Sequence, residues 1–210
     1  MVITYFGKEF VKIQQGDTTI ALNAPGKDSK IKAPKFGADI ALVSVNHKDY
    51  NGAENLFFGD KIPFVITGPG EYEVKNIFIK GIPSESSVGG TKQVNTIYMI
   101  QVDKMNVCFL GALSSKDLKS ESREALESID ILFVPIGDGG VLAPSDAYSV
   151  AVSLEPKIII PMDYEEGSEQ IKKFLKEGGA QKTEAIDKLT IKPKDIEGKD
   201  AEIVVLAPSA

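Results

Sequence analysis

Histidine is almost missing from this chain: His47 is the one imidazole in 210 residues. Chemistry that passes protons between imidazoles, or gathers several of them around a metal, has little to work with. Cysteine is as scarce. Cys108 alone permits neither a disulfide framework nor a thiolate zinc cluster, and its setting in "NVCFLGAL" predicts a small buried core residue. No apolar stretch reaches the roughly 18 residues that a membrane helix requires. The opening "MVITYFGKEF" has no basic segment leading into a long apolar block, so it does not read as a signal peptide, and the cytoplasm is the expected location. Runs of Lys and Arg are also missing. With a net charge of −6 and a pI near 5.0, general binding to nucleic acid or to an anionic membrane is not expected.

What is present is an ordinary globular composition, 42% hydrophobic and 26% charged, on a length suited to one sizeable core. A single domain over residues 1–210 is expected. The first half reads as strands: "MVITYFG", "FVKIQQG" and "TTIALNA" cluster β-branched and aromatic residues between Gly-containing turns. "DIALVSV" is apolar without alternation, as in a strand buried on both faces. "PFVIT", "GEYEV", "NIFIKGI", "NTIYMIQV" and "NVCFLGA" continue the pattern. Helices enter later. "SSKDLKSESREALESI" places Leu118, Ala125, Leu126 and Ile129 at near-helical spacing. "SDAYSVAVSL" offers Ser145 or Asp146 as an N-cap, and "SEQIKKFLKEGG" runs from Ser168 to a Gly pair. "DILFVPIG" and "KIIIPM" lie between these helices as buried strands, and "LTIK" and "AEIVVLA" close the chain. Two facing sheets with helices outside would bury all of these faces.

The chemistry-bearing residues gather in "ADIALVSVNHKDYNG", where an apolar run ends in an imidazole, a carboxylate and a phenol. "GPGEYEV" lacks the Lys and helix of a phosphate loop and reads as a tight turn before a strand. "GDGG", residues 137–140, lies between a strand and a helix, where backbone amides of Asp138 to Gly140 could meet an anion; a plain turn is the simpler reading.

The order of "SVNHKDY", "GPGEYEV" with "IFIKGIP", "CFLGAL", "ILFVPIG" and "EPKIIIPMDY" resembles the metallo-β-lactamase fold superfamily, in its compact branch of ascorbate-phosphate lactonases and metal-dependent hydrolases. The resemblance covers nearly the whole chain. It implies an α+β fold, a four-layer αββα sandwich of two facing mixed sheets. It also implies a two-metal hydrolytic site with the signature S/T-H-x-H-x-D-H, a later His, an Asp in a "GD" turn and a His in "P-x-H-Y". Two zinc-like ions there would lower the pKa of a bridging water and polarise the substrate oxygen.

Laid on that signature, Ser44, His47 and Asp49 match. Val45 and Tyr50 stand where two histidines are expected, and neither coordinates well. Ser84 and Glu85 fall in the loop of the later His. Ala112 stands for the bridging Asp, and Asp163 for the final His. Too few donors remain for two ions. Three functional readings follow. In the first, the protein no longer performs two-metal hydrolysis, needs no cofactor, and keeps its cleft for a small-molecule ligand or partner. In the second, His47, Asp49 and Asp163 hold one divalent ion (Zn²⁺, Mn²⁺ or Mg²⁺) that cleaves an ester, lactone or phosphodiester. Asp49 then doubles as general base and Tyr50 steadies the oxyanion. In the third, the chain is a structural or homo-oligomer-forming protein with an empty cleft. The plain alternative for the motif itself is that His47 caps a strand end while Asp49 accepts bonds from loop amides.

Overall fold

The structure, a computed structural model, describes residues 1–209. The first sheet is built by β1 (Val2–Tyr5), β2 (Val11–Gln15), β3 (Thr18–Leu22), β4 (Ile40–Leu42) and β5 (Phe64–Ile66). The chain then crosses to β6 (Gly70–Val74), β7 (Ile77–Ser86), β8 (Gln93–Val102) and β9 (Met105–Phe109) of a second sheet. Helix α1 (Ser120–Glu124), β10 (Ile131–Pro135), α2 (Pro144–Ser153), β11 (Ile158–Met162) and α3 (Glu169–Glu177) follow. The short strands β12 (Leu189–Thr190) and β13 (Glu202–Ile203) finish one sheet each.

The first sheet has the order β12-β1-β2-β3-β4-β5 and the second β13-β11-β10-β9-β8-β7-β6. Both are mixed. Tight turns join the antiparallel runs β1–β2–β3 and β6–β7–β8–β9, whereas β3–β4–β5 and β9–β10–β11–β13 pair in parallel. Parallel neighbours need a crossover, and α1 and α2 lie in the connections that lead into β10 and β11. Alternation decides which side chains go inward. Ile3, Tyr5, Val11, Ile13, Ile20, Leu22, Ile40 and Leu42 of the first sheet meet Ile77, Ile79, Ile97, Val107 and Phe109 of the second in one core. β10 and β11 are buried at every residue because core lies beneath them and α2 packs on β10. Tyr98 ties the layers together, its hydroxyl donating to the Val43 carbonyl at 2.7 Å across the sandwich.

This is the two-sheet sandwich expected from the sequence, with few helices. The outer face of the first sheet carries a small cluster of Phe6, Phe10, Ala21 and Ala41, roofed by Phe36, Ala33 and the 3-10 turn Ala53–Leu56. Three local expectations need correction. The 16-residue helical pattern around Leu118 yields only Ser120–Glu124; its N-cap, Lys119, has no side-chain capping bond, and Ser128 turns the chain with φ 55°. α2 starts earlier than its polar residues suggest: Ala143 is the N-cap and Pro144, lacking an amide hydrogen, occupies the first turn. Ser145 instead donates to Glu177 at 2.8 Å, and Asp146 pairs with Lys116. "DIALVSV" stays in the ladder only through Leu42, after which Ser44 is bonded to Asn23. Asp39, just before β4, is a buried anchor that receives the Thr19 amide, Lys61 and Lys75. Among the described residues no helix is long and apolar enough to cross a membrane.

Candidate functional site at the strand ends

The ends of β3, β4, β9 and β11 converge at one end of the sandwich, held by two buried amides. Asn23, in a left-handed conformation at φ 49°, donates through Nδ2 to Ser44 Oγ at 2.8 Å and to Glu9 Oε2 at 2.7 Å. Its Oδ1 accepts the Ser44 amide at 2.8 Å. On the opposite sheet Asn95 accepts the Ala112 amide at 2.9 Å and donates to Ser84 Oγ and to the Leu110 carbonyl. The Thr96 amide donates to the Ser44 carbonyl at 2.8 Å, joining the two halves. Gly111 permits this closeness: its φ is 58°, and a Cβ there would lie 2.5 Å from Ser44 Cβ.

His47 and Asp49 sit side by side on the loop after β4, their side chains 24% and 23% exposed. The Asp49 amide donates to His47 Nδ1 at 3.3 Å, and Nδ1 lies 3.8 Å from Asp49 Oδ2. Asp49 Oδ1 accepts the Ser29 hydroxyl at 2.6 Å, so its partner is a side chain of the loop after β3 and not the loop amides first expected. Asp163 is held by a different partner, although the Asp49 charge acts on it. It follows β11 at φ 61°, and its Oδ1 is bound to Lys8 Nζ at 2.6 Å. Glu85 lies outward, paired with Lys92 at 2.7 Å. The structure thus brings His47 and Asp49 together and leaves Asp163 with Lys8.

Where the resemblance calls for further ligands, the chain has an apolar cluster. Val45, Tyr50 and Ala112, the positions of two expected histidines and the bridging Asp, pack together with Val88 and Val141. Gly140 of the "GDGG" turn closes this side: its carbonyl accepts the Ser87 amide, and a Cβ on it would lie 2.6 Å from the Ser87 carbonyl oxygen. That turn is spent on packing.

Beneath the cluster lies a polar group that the sequence did not reveal. Glu9, in the turn between β1 and β2, is fully buried, and burial together with the Asp163 charge raises its pKa well above the usual carboxylate range. Asp163 is raised too, by burial against the opposing pull of Lys8. The Tyr50 phenol is pushed far up by burial and by the charges of Glu9 and Asp163. Glu9 Oε1, Tyr50 Oη and Asp163 Oδ2 are closed off from solvent, and no protein group hydrogen-bonds them. Lys8 Nζ lies 5.9 Å from the centre of the Tyr50 ring. Glu9 is drawn inside by Asn23, 14 residues away, which no local pattern signals.

These donors do not fit a two-metal centre. Two ions need several imidazoles and carboxylates converging with open lone pairs at about 2.0–2.2 Å, and three of those positions are taken by Val45, Tyr50 and Ala112 of one apolar cluster. Among the described residues no group of three or more His, Cys, Asp or Glu side chains is arranged to hold a metal ion. Two clefts flank the filled centre. One, about 520 Å³, is lined by Pro83, Ser84, Glu85, Gln93, Leu113 and Ser115. The other, about 650 Å³, includes Lys8, Gly137, Asp163, Tyr164 and Gln170.

Residues 2–163 match the family described as the beta-lactamase superfamily domain. A metal-dependent hydrolase of Lysinibacillus sphaericus is 30% identical over 199 residues, a match covering 78% of this chain and 85% of the relative. One from Listeria monocytogenes is 25% identical over 197 residues with the same coverage. Among solved structures, a Thermotoga maritima protein named as a Zn-dependent hydrolase of the metallo-β-lactamase superfamily superposes with a TM-score of 0.75 at 26% identity, over 98% of this chain and 97% of that one. Sequence and fold agree: the chain belongs to the metallo-β-lactamase superfamily.

Proposed function

We propose that this protein has given up two-metal hydrolysis and uses the remaining clefts at the strand ends to bind a small molecule or a partner. The observation that carries the reading is the contact among Val45, Tyr50 and Ala112. Each replaces a donor by a group that coordinates poorly, and together they fill the space two ions would take. The polar atoms below them have no exposed surface for a substrate to meet. The cleft beside Ser84 and Glu85 is the better binding site. Its volume of about 520 Å³ lies within the roughly 300–1,000 Å³ of small-molecule pockets, and its mixture of apolar wall and a few polar groups is typical of them.

A single-ion hydrolase is the second reading, favoured by one observation: His47 and Asp49 remain adjacent and partly exposed. It requires a third donor, and Asp163 Oδ1 is occupied by Lys8. Grafting the missing ligands separates these readings. The variant carrying Val45→His, Tyr50→His, Ala112→Asp and Asp163→His is expected to take up Zn²⁺, while the native chain shows no saturable uptake in the same titration. Tight stoichiometric binding of one ion by the native chain, lost in His47→Ala, would establish the second reading instead.

A further inference from the structure

We propose that residues 57–65 form the contact surface of a symmetric dimer, with a second copy of this chain as the partner. The segment "FFGDKIPFV" is unusual for a protein surface. Phe57 is 50% exposed, Phe58 67%, Ile62 71%, Phe64 51% and Val65 40%, whereas the other exposed large apolar side chains, Phe78, Val94, Val152 and Ile186, occur singly along the chain. Scattered exposed apolar residues mean little, but these five fall within nine consecutive residues that run into the edge strand of the first sheet.

Local geometry presents them together. The Phe58 and Lys61 backbones exchange hydrogen bonds at 3.2 and 3.1 Å, closing a turn in which Gly59 takes φ 59°. The turn is braced against Gly37, where a Cβ would come within 3.2 Å of Phe58 Cβ. It leads through Pro63 into β5, the outermost strand of the first sheet. The Phe64 amide bonds inward to Asp39 and the Ile66 carbonyl accepts from Val43. In a parallel ladder the amide and carbonyl of the intervening Val65 therefore point away from the sheet. An edge with one free donor and one free acceptor suits antiparallel pairing with its own copy about a two-fold axis, Val65 opposite Val65. Pro63, lacking an amide hydrogen, limits that pairing to one residue.

Area and charge favour a second copy. Because a phenylalanine presents roughly 150–250 Å², these partly exposed side chains offer on the order of 500 Å² per chain, most of the roughly 800 Å² per partner of a standard interface. The turn residues and the β5 edge supply the remainder. A chain of net charge −6 repels its copies except where the surface is nearly neutral. Within this segment the Lys61 charge is matched by buried Asp39, leaving only Asp60. A two-fold contact is also self-limiting, since each β5 edge is consumed by the other.

Sedimentation of the full chain over a range of concentrations tests the proposal. The expected result is a species of twice the 22.6 kDa chain mass that dissociates on dilution. The double variant Phe58→Glu/Ile62→Glu should sediment as a monomer with an unchanged circular dichroism spectrum, and so should Phe58→Lys/Ile62→Lys. Mixing the two charge variants should restore the dimer, which a misfolded protein could not do. A native chain that is monomeric at every concentration, as expected if a different protein covers the patch, overturns the proposal. So does a dimer that is indifferent to both variants.

Discussion

Tyr50 shows most directly how the centre of the site is built. A histidine at this position would turn a lone pair toward an ion; the phenol instead packs in one apolar cluster with Val45 and Ala112, its hydroxyl lacking any protein partner. A buried hydroxyl without a partner carries a desolvation cost of about 1–3 kcal/mol. Tyr50→Phe should therefore leave stability unchanged or raise it by roughly 1 kcal/mol, measured by urea denaturation. A loss of more than about 2 kcal/mol would show that the hydroxyl is part of a satisfied network. Much at this scale was legible in the sequence. Val45, Ala112 and Asp163 were visible as departures from the signature because a signature exists to depart from. Glu9 was not, since it is held inside by Asn23 at the far side of a hairpin.

At the scale of elements, Asp39 fastens the start of β4. It accepts the Thr19 amide of β3 and the ammonium groups of Lys61 and Lys75, so three separate segments meet on one carboxylate. Burial alone would raise its pKa, but the two lysines and the amide hold it down to about 2. A carboxyl depressed in the folded state contributes stability that is complete above its unfolded pKa near 4 and is lost as pH falls toward 2. Asp39→Asn should lower stability at pH 7 by on the order of 2 kcal/mol, with the difference from the native chain shrinking between about pH 4 and pH 2. Chemical denaturation at several pH values provides the check, and a difference that grows on acidification contradicts this account. The elements themselves were easier to read than their ends. Strands announced themselves through β-branched runs between glycines, and α3 through Ile171, Phe174 and Leu175 on one buried face. α1 was overestimated because Leu118, Ala125, Leu126 and Ile129 are buried or partly buried on an irregular path that imitates helical spacing.

The whole molecule keeps the architecture of a hydrolase superfamily while the centre of its strand-end site is closed by side-chain packing. Asn23, Ser44, Asn95 and Gly111 lock the strand ends together through buried hydrogen bonds and close backbone approach. This explains why the fold was recognisable from motif order even though the ligands were not all there. The exposure of residues 57–65 is not legible in the sequence, because it is a property of the assembled sheet edge and not of the stretch itself. The most direct test of the central claim is the metal content of the native protein, purified without chelators or a histidine tag and measured by inductively coupled plasma mass spectrometry. Far less than one ion per chain is the expected result; two firmly bound ions per chain would contradict the account.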